Sequence, residues 1–329
     1  MKLRTLTREI AILSIPPIDL LNIAGPLEAF RIANTLIQNG PLYDVELVSA
    51  KNEKQIQCDS GINLTAHATL DDEKWARSSI DTLIITTQFP PSGIYPEKVT
   101  QWLCQQEKRV RRICSMSAGI FVLAQCGMLK DKIVTTHWRI RDHFAKCYPG
   151  IKIEEQPIWV KDGKIYSSAG MSSGIDLVLN LIAEDHGNLL ASKVTKELVL
   201  FLRRPGNQAQ LSLSLMAQYA NHRSIRELQP WLTENLAQDL TVDVLAERLA
   251  ISRSTFIRIF KQEMNITPAK YVETLRVEAA QRFLKMTSMN LDHIAAKCGF
   301  ASADVFRRSF QRNLGITPLS YRKQFKPGN

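Results

Sequence analysis

The stretch Leu240–Tyr321 carries one pattern twice, and this duplication constrains the fold more than anything else in the chain. The first copy reads Leu245-Ala246, Leu249-Ala250-Ile251, Phe256, Phe260, Ile266-Thr267-Pro268 and Tyr271. The second reads Ile294-Ala295, Cys298-Gly299-Phe300, Phe306, Phe310, Ile316-Thr317-Pro318 and Tyr321. The offset is 49 residues before the central turn and 50 after it, so the second turn holds one extra residue. Two copies are too few for a solenoid, which leaves a duplicated small module.

Each copy reads as a helix-turn-helix. Val242, Leu245, Ala246 and Leu249 recur at helical spacing, and Ser252 is a good N-cap for a second helix over Arg253–Met264. Phe256, Ile259, Phe260 and Met264 form its apolar stripe, leaving Ser254, Arg258 and Lys261 on open faces. In the second copy Leu291, Ile294, Ala295 and Cys298 make the first helix, Gly299 suits a tight turn, and Ser302 caps the next. There Phe306 and Phe310 point inward, with Arg307, Arg308 and Arg312 outside. A plain helical bundle with a basic solvated face is the alternative, and the matched Thr-Pro and Tyr positions speak against it.

With these residues this stretch resembles the DNA-binding domain of AraC/XylS transcription regulators. The resemblance implies two helix-turn-helix units joined by a long helix, here Pro268–Met286, with Leu275-Arg276-Val277-Glu278-Ala279-Ala280 at its centre. It implies recognition helices near Arg253–Met264 and Ala303–Asn313 in successive major grooves, about 34 Å apart. Arg258 and Arg308 are then expected on base edges, and Arg253, Lys261 and Arg307 on phosphates. Ser254, Ser302, Ala303 and Asp304 complete the candidate interface. Asp304 either accepts from a cytosine amine or caps its helix.

Charge agrees with a nucleic-acid partner at that end. The net charge is +10, and residues 231–329 hold 15 Lys and Arg against 9 Asp and Glu, while the first 230 hold 27 against 23. The sequence offers no lipidation motif, no signal peptide and no apolar run long enough to span a membrane, so no membrane partner is expected. Cys58, Cys104, Cys114, Cys126, Cys147 and Cys298 show no Cys-x-x-Cys pair and no zinc spacing, so no metal is expected. Several sit in apolar runs, where a thiol acts as a small core residue, and a reducing cytoplasm is the natural compartment.

The chain before the duplication alternates strands and helices. Strands are expected over Arg8–Leu13, Tyr43–Ser49, Thr82–Ile85 and Arg112–Cys114, and a hairpin pairs Ile158–Val160 with Ile165–Ser167 across Asp162-Gly163. A loop and then a helix are expected within Asp19–Asn34, and helices over Lys98–Lys108, Ala118–Cys126, Ser172–His186, Leu189–Arg203 and Ser224–Leu236. The implied architecture is a flavodoxin-like, mostly parallel α/β domain over 1–205, a linker over 206–224, and an all-α domain with two helix-turn-helix units over 225–329.

Ser115-Met116-Ser117-Ala118-Gly119 has the strand–turn–helix form of a nucleophile elbow. Ser117 would stand above the sheet, where His137 of Thr135-Thr136-His137-Trp138 could meet it. Equally, Ser117 could cap a helix and His137 be a core residue. With the elbow, Leu20-Leu21-Asn22-Ile23-Ala24-Gly25-Pro26-Leu27-Glu28, Thr135–Trp138, Ser168-Ala169-Gly170, Gly174-Ile175-Asp176 and Arg203-Arg204-Pro205-Gly206-Asn207-Gln208 carry a second resemblance. This domain resembles the PfpI-like members of the glutamine-amidotransferase-like superfamily, and with the AraC-type module the chain resembles GlxA-like regulators. Catalytic relatives place a cysteine where this chain has Ser117 and an acid where it has Asn22. Cys114 lies three residues earlier and does not substitute.

The resemblance therefore implies a regulator, with no catalytic residue and no cofactor. Asn22, Gly25, Pro26, Ser117, Ala118 and His137 would contact an unknown small-molecule effector. Double-stranded promoter DNA and a second copy of the chain are the expected partners, with RNA polymerase a further candidate. The alternative is a PfpI-like hydrolase or deglycase fused to a DNA-binding module.

Overall fold

The computed structural model describes residues 7–37, 41–77, 80–88, 94–201, 203–211, 222–264 and 266–325. The chain forms two compact units, Met1–Gln210 and Leu211–Asn329.

The first unit is built on a seven-stranded sheet. Its strands are β1 (Arg8–Ile15), β2 (Tyr43–Ser49), β5 (Ala68–Thr69), β6 (Thr82–Thr87), β7 (Arg112–Ser117), β10 (Trp159–Asp162) and β11 (Ile165–Ser168), in the order β10-β11-β7-β6-β1-β2-β5. Two small pairs, β3 (Gln55–Gln57) with β4 (Asn63–Thr65) and β8 (Ile133–Val134) with β9 (Lys152–Ile153), stand apart. Every pairing in the main sheet is parallel except β10 with β11, which turn at Gly163 with φ +62°. Every residue of β6 is buried, as expected of a strand covered on both faces.

Strand alternation deals side chains to two cores. Ile10, Ile12, Ile84 and Cys114 face α1 (Leu21–Thr35), α6 (Ser172–His186) and α7 (Asn188–Glu197). Ala11, Leu13, Ile85 and Ile113 face α2 (Lys74–Arg77), α3 (Glu97–Glu107), α4 (Gly119–Gln125) and α5 (Arg141–Cys147). At the start of β7 the buried Arg112 forks onto the buried Asp185 near the end of α6, and its Nε donates to Thr82 Oγ1 at 2.7 Å. That pair fixes one end of α6, and the other end meets the elbow.

The structure corrects the boundaries of three segments. β7 continues through Ser117, so the turn into α4 is only Ala118. The helix expected to reach Arg203 stops at Glu197, where Val199 takes φ +53° and Leu200 N–H reaches back to Thr195 O at 3.1 Å. This is a Schellman-type stop in which a valine occupies the place glycine usually takes. Part of the expected linker is tied down. Gly206 lies against the Trp159 ring with its carbonyl accepting from Ile158 N–H, and Gln210 N–H donates to Gln156 O at 3.0 Å.

The second unit is helical, with α8 (Arg223–Glu234), α9 (Val242–Arg248), α10 (Arg253–Met264), α11 (Pro268–Met286), α12 (Leu291–Lys297), α13 (Ala303–Leu314) and α14 (Pro318–Phe325) around one core. The duplication is visible atom by atom. Phe256, Phe260 and Tyr271 stack edge to face at 5.5 and 5.2 Å, and Phe306, Phe310 and Tyr321 do so at 5.5 and 5.3 Å. Thr267 Oγ1 accepts from Lys270 N–H and Thr317 Oγ1 from Ser320 N–H, each before a proline at the first helical position. Both turns also use one hydrogen-bond scheme. Ala250 N–H goes to Glu247 O and Ile251 N–H to Ala246 O, and Gly299 N–H goes to Ala296 O and Phe300 N–H to Ala295 O.

Candidate functional site

In the first unit the polar groups converge at the C-terminal ends of the parallel strands, where ligands of such sheets bind. Ser117 ends β7 with φ +50°, a strained conformation for a residue with a side chain. Two contacts hold it. Thr136 Oγ1 donates to Ser117 O at 2.8 Å, and Gly170 packs so close that a Cβ there would lie 2.6 Å from Ser117 Cβ. Gly170 (φ +77°) and Met171 (φ +52°) turn the chain from β11 into α6. Met171 N–H donates to Asn22 Oδ1 at 2.6 Å. Asn22, 1% exposed, thus occupies the place beside the elbow with a neutral amide.

A carboxylate is nonetheless close by. Asp19 Oδ2 accepts from Asn22 Nδ2 at 3.4 Å. Burial, then the nearby Asp59 charge, raise the Asp19 carboxyl above its usual range, partly offset by Gln88. Leu21, Met171 and Trp138, neighbours in sequence of these groups, are exposed.

His137 is half-buried, and burial followed by the Arg139 charge lowers its pKa. Its Nδ1 accepts from Arg139 N–H at 3.3 Å. No hydrogen bond joins it to Ser117 among the described residues, so the Ser–His contact envisaged from sequence is not assembled; Thr136 makes the link to the elbow instead. Ala118 is buried as the N-cap residue of α4. Gly25 and Pro26 lie inside α1, and a Cβ on Gly25 would meet Ile175 Cγ1 at 2.7 Å. Gly25 thus serves the α1–α6 packing, and Pro26 is buried in the same helix.

Three residues not named as site candidates from sequence shape this region, of which Arg204 alone lies within a sequence motif. Asp19 sits in the same loop as Asn22 but outside the motif. Arg204 clamps Asp176 through its backbone N–H and guanidinium, both at 2.8 Å, beside the start of α6. Burial raises the Asp176 carboxyl, and Arg204 counters it. Gln210 Nε2 donates to Thr136 O at 2.8 Å and Pro157 O at 3.1 Å, and its Oε1 accepts from Trp138 N–H at 2.9 Å. A cavity of about 250 Å³ lined by Glu9, Asp44, Glu46, Lys74 and Trp75 lies at the opposite, N-terminal end of β1 and β2. It is remote from the elbow.

In the second unit α10 and α13 each bury one face and expose the other. Arg253, Ser254, Arg258 and Lys261 are exposed on α10, as are Asp304, Arg307 and Arg308 on α13, with Ser302 exposed just before it and Ala303 half-buried. Ser302 Oγ accepts from Val305 N–H at 3.3 Å and so is the cap of α13; Asp304 instead pairs with Arg307 at 2.6 Å. Arg253 lies 3.5 Å from Asp243, whereas Arg258, Lys261 and Arg308 enter no ion pair among the described residues. Arg312, read from sequence as available outside, is tied to Glu273 of α11. Lys270 Nζ, also on α11, donates to Asn313 Oδ1 at 2.8 Å. Long-range partners of this kind leave no periodic signal.

Among the described residues no helix is long and apolar enough to cross a membrane. Two family models match the chain: the DJ-1/PfpI family over residues 8–184 and a helix-turn-helix domain over 245–324. The HTH-type transcriptional regulator ArgR of Pseudomonas aeruginosa is 32% identical over 275 residues, covering 81% of this chain and 83% of that protein. CdhR of the same species is 27% identical (93% and 89% covered), and GlxA of Rhizobium meliloti 23% (93% and 92% covered), both likewise HTH-type transcriptional regulators. An AraC family transcriptional regulator structure from Pseudomonas putida shares the fold, with TM-score 0.52 at 18% identity over 58% of this chain and 99% of that one. Through its sheet domain the chain belongs to the DJ-1/PfpI family, and as a whole it is a GlxA-like, AraC-type transcriptional regulator.

Proposed function

We propose that the chain binds promoter DNA through both helix pairs of the second unit, with α10 and α13 each lying in a major groove. One observation carries this reading: α10 and α13 repeat the same buried aromatic face and each leaves an unpaired arginine, Arg258 or Arg308, on the opposite face. These two guanidiniums suit guanine edges, and Arg253, Lys261 and Arg307 suit phosphates. The first unit binds a small effector over the elbow, between Ser117, Asn22 and Met171, and carries the contacts of a homodimer matched to paired DNA sites. RNA polymerase is a further partner, and the compartment is the cytoplasm.

The test measures binding of Arg258→Ala and Arg308→Ala to a randomised operator library at two salt concentrations. Each variant loses about 1–3 kcal/mol and relaxes preference at one position. Lys261→Ala instead weakens all sequences alike and lowers the salt slope by about one unit. Uniform loss in both arginine variants, with base preference intact, overturns the placement.

The hydrolase or deglycase reading draws on the strained Ser117 and on Asp19 near Asn22. Against it stand the absent cysteine and a His137 that is not hydrogen-bonded to Ser117. Appreciable turnover of small aldehydes or amides by the unaltered protein would establish it and displace the sensor reading.

A further inference from the structure

The three thiols at Cys58, Cys114 and Cys298 are buried, as core cysteines are, and burial pushes Cys114 up to about 12. The other three gather on the α3–α4–α5 side of the first unit. Cys104 is exposed on α3, Cys126 is half-buried as the C-cap residue of α4, and Cys147 is exposed at the end of α5. Cys126 Sγ sits 3.9 Å from the carbonyl oxygen of Thr100. Thr100 lies four residues before Cys104, so both are on one face of α3 and Cys126 rests against that turn. In keeping with that proximity, the nearby Cys104 adds to burial in raising the Cys126 thiol. Cys147 instead lies 3.6 Å from His143 Nε2 on its own helix. Among the described residues no group of three or more His, Cys, Asp or Glu is placed to hold a metal ion, so this pairing is not part of a metal site.

We infer that Cys104 and Cys126 form a dithiol site that closes to an intrachain disulfide on meeting a hydroperoxide. The geometry suits the bond, because the Cys126 thiol rests on the turn of α3 that carries Cys104, so little backbone movement is needed. The roles follow from exposure. Cys104 is open to solvent, so its thiolate attacks the peroxide oxygen, releasing the alcohol or water and leaving a sulfenic acid. Cys126 then forms the S–S bond and expels the sulfenic oxygen as water. The two thiols together lose two electrons and two protons, which reduce the peroxide. Burial, with the neighbouring Cys104, pushes the Cys126 thiol up to about 12, so the sulfenic acid at Cys104 forms first and the second step waits on loss of the Cys126 proton, which leaves with the sulfenic oxygen as water. The bond would close a loop containing all of β7, Ser117 and α4, and so would tether the elbow's own strand and helix to α3.

The test treats the reduced full-length protein with hydrogen peroxide, blocks free thiols, and maps disulfides by non-reducing peptide mass spectrometry. A Cys104–Cys126 linked peptide is expected as the main product. Cys104→Ser should abolish peroxide consumption at this site. Cys126→Ser should leave Cys104 trapped as a sulfenic acid that reacts with dimedone. Cys147→Ser should leave the link unchanged. Circular dichroism of each variant checks that the fold persists. A product in which Cys104 joins Cys147 or a second chain, or in which the 104–126 link appears only after denaturation, overturns the inference. So does equal dimedone labelling of Cys104 in the unaltered protein and in Cys126→Ser.

Discussion

The two helix pairs of the second unit share an aromatic ladder, a Thr-Pro helix start and a turn scheme, yet their surroundings differ. In the first turn Ala250 takes φ +54°. In the second Gly299 takes φ +78°, and a Cβ there would lie 1.9 Å from Leu236 O and 2.8 Å from the Arg276 guanidinium. Arg276, on α11, donates to Leu236 O and Gln238 O. The second pair is also fastened to α11 through Glu273–Arg312 and Lys270–Asn313. The corresponding helix of the first pair, α10, has instead the surface contact Arg253–Asp243. The difference teaches that the left-handed turn itself does not demand glycine. Hydrogen bonds hold it with alanine at some cost, and glycine becomes necessary only where another part of the fold comes within contact distance.

The sharpest way to break this comparison is a matched pair of substitutions. Gly299→Ala should destabilise the second unit by about 3 kcal/mol, because strain and overpacking act together against backbone and a hydrogen-bonded arginine. Ala250→Gly, at the equivalent position, should stabilise it by roughly 0.5–1 kcal/mol, the left-handed penalty relieved less the added flexibility of the unfolded chain. Hydrogen-exchange mass spectrometry of the α9–α14 peptides in rising denaturant measures both. Equal effects at the two positions would mean that Gly299 is not crowded.

Next in size is the acid sensitivity of the second pair. Burial by itself would raise the Glu273 carboxyl, but Arg312, with Lys270 and Ser309, holds it below its ordinary value of 4.5. Its folded value is depressed, so its stabilisation is present above 4.5 and is lost as pH falls through the lower folded value. Glu273→Gln should cost about 0.5 kcal/mol at pH 7, as befits a partly exposed pair, and should loosen α13 without touching α10. Exchange rates of the α10 and α13 amides at pH 7 and pH 4 read this. Parallel change in both helices would remove the asymmetry.

The smallest effect concerns Lys285, which stands over the Tyr321 ring at 5.4 Å. Burial pushes its ammonium down to about 8 from 10.5. The unfolded chain therefore binds more protons between those values, and stability should rise with pH across the window. Lys285→Met should remove that rise and stabilise the unit at pH 7 by less than about 0.5 kcal/mol, since solvent reaches much of the side chain. Thermal melts from pH 7 to pH 10 check the sign.

What sequence revealed and what it hid divide along physical lines. Periodicity exposed the duplicated module because Phe256, Phe260, Phe306 and Phe310 recur at the spacing their burial requires. β6 showed itself through the short apolar run Leu83-Ile84-Ile85 at its centre. The end of α7 was hidden because Val199 does the work of a glycine. Gly170 met the eye as part of a motif, but its role became clear only from its 2.6 Å approach to Ser117. Cys104 and Cys126 looked like separate small core residues, since nothing local says that α3 and the end of α4 touch. Gln210 lay in a polar stretch that reads as linker.

That last residue has a thermodynamic consequence. Gln210 is the final residue of the first unit, and its side-chain amide is bonded to the same Thr136 and Trp138 segment that supports the elbow. A proposed effector that shifted this segment would stretch or break those bonds, and so would change how firmly the chain is anchored where it leaves the unit. Linkage makes the effect mutual. If the elbow holds an effector as proposed, a change in how firmly Gln210 is anchored would alter the affinity for that effector in return.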